Sequence, residues 1–160
     1  MKTAKRTVLS RAEEGTAAIE FGAVAAALCI LLLGVLDFGL AFWEQMEVAH
    51  AAGAGADYVM ANGYNTTAKV QAAATNATNL SGVTVTPDST CGCPTSTGVK
   101  TGAGLGTYPA CGQACTSIPG GSGTSLPYVT VSASVSYSMI FPWPGVSNPM
   151  TLSAIAIAPN

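Results

Sequence analysis

Charge is what this chain has least of: lysine, arginine, aspartate and glutamate make up 9% of its 160 residues, against about 25% in an ordinary soluble protein. Histidine occurs once, at His50 in an alanine-rich stretch, with neither a paired acid nor a nucleophile beside it. No glycine-rich phosphate loop, H-E-x-x-H or G-x-S-x-G is present, so the motifs that announce phosphate, zinc or acyl-transfer chemistry are missing. The expectation is a protein that is not an enzyme and needs no cofactor or metal. Beyond residue 43 the only fixed positive charges are Lys69 and Lys100. That is too few to neutralise a phosphate backbone, which excludes nucleic acid as a partner. Low charge also sets the chain apart from disordered tails, whose net charge is typically high.

What is present instead is one long apolar run. Residues 21–36 contain no charged side chain, Asp37 interrupts, and residues 38–43 are apolar again. From Gly15 through Asp37 there are 23 residues, roughly 35 Å of α-helix against a hydrocarbon core of about 30 Å. This length spans a bilayer, with membrane lipid as its partner. Lys2, Lys5, Arg6 and Arg11 precede the run, whereas Glu44 and Glu47 lie just beyond it. The positive-inside rule therefore leaves the N-terminus in the cytoplasm and the long C-terminal part outside.

Residues 1–15 form a cytoplasmic leader, and how it is processed decides the reading. An ordinary secretory signal needs a small-x-small site after the apolar core, but Leu36, Asp37 and Phe38 stand there, followed by bulky Phe42 and Trp43. A lipoprotein signal needs a small residue before the modified cysteine, but Leu28 precedes Cys29. Cleavage before the core, between Gly15 and Thr16, leaves the helix on the mature protein. The string Gly15-Thr16-Ala17-Ala18-Ile19-Glu20-Phe21 resembles the processing site of type IV prepilins. With the apolar helix and its Asp37-Phe38-Gly39 ending, it resembles the TadE-like family of minor pseudopilins from tight-adherence (Flp-type) pilus systems.

That resemblance implies a prepilin peptidase cutting after Gly15, with Glu20 as the fifth residue of the mature chain and Glu20-Phe21 serving assembly. It also implies a role in building the pilus, hence in adhesion and surface colonisation. Its partners would be the assembly platform and other pilins, and its location the bacterial inner membrane or the pilus itself. The alternative is an uncleaved signal-anchor protein whose disulfide-tied domain captures a ligand outside the cell. A carboxylate inside a bilayer costs about 2.5–3.5 kcal/mol on insertion scales and usually has a partner. For Glu20 the candidate cation is the new α-amine on Thr16, which the family supplies from a neighbouring subunit; otherwise Glu20 snorkels to water. Asp37 is expected at the outer interface, and Cys29 as a small apolar filler.

The helix is expected to run on to Asn62, where Asn62-Gly63 is a C-terminal stop. Phe42, Met46, Ala49, Gly53, Ala56 and Met60 recur at heptad spacing and form one apolar stripe, against the protein's own domain or against other subunits. The exported domain, residues 63–160, follows. Thr66 is placed to cap a helix over 67–79 with Val70, Ala73, Ala74 and Ala77 on one face. Residues 83–86 read as a short strand ended by Pro87. Residues 128–139 alternate strictly, with Val129, Val131, Ala133, Val135, Tyr137 and Met139 on one face, and residues 152–158 form a further strand. Helix followed by antiparallel strands gives an α+β class: a long N-terminal transmembrane helix extending into a small pilin-like antiparallel sheet domain.

Residues 88–127 form a Cys-rich loop without apolar periodicity, a length that requires a tie. Cys91, Cys93, Cys111 and Cys115 supply it as disulfides in an oxidising compartment. A Cys91–Cys93 bond would close a very tight ring, so pairing between the two clusters is expected, for instance Cys93 with Cys111 and Cys91 with Cys115. Their spacing differs from the C-x2-C of zinc ribbons and thioredoxin-like sites. Asn65, Asn76 and Asn79 match the glycosylation pattern, a cheap match in Thr/Asn-rich sequence.

Overall fold

The computed structural model describes the backbone of residues 6–101 and 110–160, and the side chains of 16–101 and 110–160. The chain falls into two compact units, Met1–Leu40 and Ala41–Asn160. The elements are α1 (Arg6–Asn62), α2 (Thr67–Asn76), β1 (Thr84–Thr95), β2 (Gly98–Thr101), β3 (Leu126–Tyr137) and β4 (Met150–Pro159), with a 3-10 turn at Cys115–Ser117. The class is α+β, as the sequence implies.

In the first unit α1 is unbroken, and its apolar side chains from Ile19 to Leu36 stand exposed. Among the described residues one helical stretch, Thr16–Asn62, is long and apolar enough to cross a membrane. Asp37 departs from expectation. It is not a side chain at a wet interface: it is 2% exposed, and it takes part in an interaction rather than standing as an isolated charge.

In the second unit α1 lies with strands in sheet order β2-β1-β3-β4, every pair antiparallel. Its core gathers Val48, Ala51, Ala52, Ala56 and Val59 of α1 with Val70 and Ala74 of α2, and with Val85, Val129, Val131, Ala133, Val135, Leu152 and Ala158 of the sheet. Of the two partners open to the heptad stripe, the protein's own domain covers little of it. Phe42, Met46 and Met60 are 71%, 64% and 57% exposed, and of that stripe only Ala56 is fully buried. The reason is steric. The sheet already presents stiff valines, so the helix approaches with alanine and glycine. At Gly55 an added Cβ would lie 2.9 Å from Val131 Cγ1 and 3.3 Å from Ala74 Cβ.

Helix ends follow local chemistry. Gly63 takes φ +71° and donates its N–H to Val59 O at 2.7 Å, closing α1 through a left-handed residue as Asn62-Gly63 predicts. Thr66 holds the N-cap position of α2 in extended conformation, but its hydroxyl makes no cap bond, and the helix stops at Asn76, short of 79.

β1 runs nine residues past the expected stop at Thr86. Pro87 pairs with Val131, while β2 reaches only Gly92–Thr95 of β1. At Pro87 the other flank of β1 is thus unpaired among the described residues, and the missing N–H costs no ladder bond. Much of the 88–127 segment read as loop is sheet for that reason. In β4, Ile155 and Ile157 are exposed, and Leu152 and Ala158 face the core.

Candidate functional site

The predicted processing and assembly residues lie on one helix. Gly15 falls within the helical span of α1, but its surroundings lie outside the residues whose side chains are described, as does the 1–15 leader. Thr16, Glu20 and Phe21 follow on the same helix, all exposed. Cys29 is a free, exposed thiol, on a helix whose neighbours Leu28, Ile30 and Leu31 are equally uncovered. The arrangement is a continuous apolar surface carrying one carboxylate near its start. It can contact lipid or other helices along its whole length.

The four cysteines of the second unit are brought together. Cys91 bonds Cys111 and Cys93 bonds Cys115, with Cα–Cα distances of 5.1 and 5.7 Å. Pairing is between clusters, but the illustrated combination, Cys93 with Cys111 and Cys91 with Cys115, is reversed. Strand register explains this. Gly92 of β1 stands opposite Leu126, and Thr95 bridges Gly121, so the chain from 126 back to 121 runs beside 92–95. Residues 111–115 form a further layer on that chain: Gly112 N–H donates to Ser125 O at 2.8 Å, and Cys115 N–H to Gly123 O at 3.0 Å. Residue 111 is thereby carried beside 91, and 115 beside 93. The Ser125 hydroxyl, buried, donates to Ala110 O at 2.6 Å and locks the same corner.

His50 has a structural task, its Nδ1 lying 3.1 Å from Ala77 O. Glu47 Oε2 accepts a bond from the Thr78 hydroxyl at 3.0 Å. Both tie α1 to the turn after α2. Sequence reasoning missed the burial of Asp37. Gly53 and Gly55 both read as small residues that permit close helix contact, and only at Gly55 would an added Cβ meet the sheet.

These features define a class: a small disulfide-clasped α+β domain carried on a helix long enough to cross a membrane. Within that class, residues 15–57 match the family model of TadE-like proteins. The match covers the segment on which the resemblance rests. No curated protein and no solved structure matches the chain.

Proposed function

We propose that the chain is a minor pseudopilin, processed by a prepilin peptidase between Gly15 and Thr16 and used in assembling a tight-adherence pilus. Its role is structural rather than catalytic. The observation that carries this reading is where the TadE-like match starts: it begins at residue 15, the residue after which cleavage would occur, and runs through Glu20 and the whole apolar helix. Before processing, the chain sits in the inner membrane with residues 1–15 in the cytoplasm and the disulfide-tied domain outside. Cleavage creates an α-amine on Thr16, and in the assembly the Glu20 carboxylate of one subunit pairs with that amine on its neighbour. Pairing offsets the cost of keeping a carboxylate in hydrocarbon, about 2.5–3.5 kcal/mol. Partners are therefore the peptidase, the assembly platform and other pilins. The exposed flank of α1 with Phe42, Met46 and Met60 is the surface they would pack against.

The mass of the membrane-extracted protein tests the reading. A chain beginning at Thr16 is expected; one beginning at Met1 in cells with active peptidase refutes it and favours a signal-anchored binding domain. Glu20→Gln should leave cleavage intact and deplete surface pili, whereas normal piliation would remove Glu20 from the assembly step.

A further inference from the structure

Among the described residues of the second unit, the connection between β3 and β4, residues 138–149, is an exposed loop rich in large apolar side chains. Ile140 is 70% exposed, Phe141 44% and Val146 36%. Trp143 packs edge-on against Phe141, with ring centroids 5.2 Å apart. The loop is held in shape. Asn148 accepts from Met139 N–H at 3.0 Å and donates to Met139 O at 3.3 Å, while Pro142, Pro144 and Pro149 restrict the chain. Its conformation is set before it meets anything.

Hydrogen bonds within the second unit fix where this loop lies. Gln45 Nε2 donates to Ser153 O at 2.8 Å, and Tyr64 N–H donates to Asn160 Oδ1 at 2.8 Å. β4 therefore runs alongside α1 in the same direction. Met150, where β4 begins, is three residues earlier than Ser153, a step of about 10 Å along a strand. The loop thus sits at the end of the unit where α1 enters it, at Ala41. Phe42 and Trp43 are exposed at that same end. The loop itself is uncharged: no Asp, Glu, Lys, Arg or His occurs after Lys100.

We propose that residues 138–149 rest in the headgroup and upper acyl region of the bilayer, as a second membrane contact beside α1. The proposal depends on reading α1 as membrane-spanning. The spanning residues are joined covalently to Ala41, which holds this end of the unit at the membrane surface. Aromatic side chains favour that depth, where a ring meets hydrocarbon on one side and water on the other. Trp143 and Trp43 are the only tryptophans in the chain and would lie in one belt. The domain is then docked on the membrane, and leaving for a filament requires lifting the loop off.

The full chain carrying Trp43→Phe, reconstituted in phosphatidylcholine vesicles, has Trp143 as its single tryptophan. Vesicle flotation reads the span. Bromines near the headgroup end of the acyl chains should cost Trp143 more emission than bromines near the chain ends, and acrylamide should quench it weakly. Adding Ile140→Ser and Phe141→Ser should abolish the bromine effect while flotation and both disulfides persist. A floating chain whose Trp143 ignores bromolipid and is open to acrylamide overturns the proposal alone. Shielding from both quenchers with cross-linking to a second copy overturns it too, because protein then covers the loop. A chain that does not float refutes the span and this contact together.

Discussion

Two glycines one half-turn apart in α1 should respond oppositely to the same substitution. Alanine at either position removes the helix penalty of glycine, a gain of about 0.8–1.0 kcal/mol. At Gly53 an added Cβ meets nothing within 4 Å, so Gly53→Ala keeps that gain. At Gly55 the same atom would lie 2.9 Å from Val131 Cγ1, 3.3 Å from Ala74 Cβ and 3.5 Å from Val70 Cγ1. Val131 is fully buried in β3 between β1 and β4, and a β-branched side chain has little freedom at χ1. Overpacking of this kind costs about 1–3 kcal/mol, which offsets or exceeds the propensity gain. The two variants should differ by about 1–3 kcal/mol, the overpacking range itself. Thermal unfolding of the detergent-extracted chain, followed by near-ultraviolet circular dichroism, reads the difference as a raised midpoint for Gly53→Ala and an unchanged or lowered one for Gly55→Ala. Val131→Ala should relieve the second substitution, a coupling of the size seen for residues in contact, about 0.5–3 kcal/mol. If Gly55→Ala raises the midpoint as much as Gly53→Ala, the close helix–sheet approach is refuted. If it costs the same with and without Val131→Ala, Val131 is not the obstacle.

The disulfides close loops of sequence separation 20 and 22, yet with one bond formed the other closes only a short ring. Chain entropy then gives about 2.5 kcal/mol for losing either bond and about 6 kcal/mol for losing both. Paired replacement of Cys91 and Cys111 by serine should therefore be mild in urea unfolding, whereas replacing Cys91 and Cys115 should cost as much as losing both bonds. Equal costs would refute the connectivity. Asp37→Ala should lower the thermal midpoint, by the equivalent of about 1–3 kcal/mol if a buried polar partner is left unsatisfied; an unchanged midpoint would mean that the buried carboxylate contributes nothing to the fold.

The parts of the fold legible in sequence are those where a single periodicity decides. The long apolar run of α1 and the alternation of β3 are such cases, and all six predicted inward residues of the β3 region, Val129 to Met139, are buried. Where two elements must choose faces for each other, sequence leaves alternatives open. Phe42, Met46 and Met60 read as a stripe against the domain or against other subunits, and the sheet excludes them because they are large. Pro87 read as a strand stop because its missing N–H is costly only beside a paired neighbour, and which flank is paired is a tertiary fact. The disulfide partners depended on the register of residues 121–126 against β1, which cysteine spacing does not encode. The TadE-like resemblance was legible because its signal, the string from Gly15 into the apolar helix, lies in order along the chain, where the family model also matches.

The same register bears on how the domain holds together. Its largest fully buried side chains include Val48, Val59, Val70, Val129 and Val131, each contributing about 1.5–3 kcal/mol on burial. The core is therefore built from many small increments beneath the sheet. Residues 110–125 contribute little to it: the buried side chains there are Cys115 and Ser125, and Ile118 is only half-buried. This segment is held by backbone bonds and the two disulfides, so reduction should free it before the sheet opens, as local unfolding rather than global loss. A clasp of that kind is useful only where thiols oxidise, which is outside the cytoplasm. Lys2, Lys5, Arg6 and Arg11 favour a cytoplasmic leader, and the cysteines favour an exported domain. Two unrelated sets of residues, separated by the apolar helix, thus agree with the orientation proposed above.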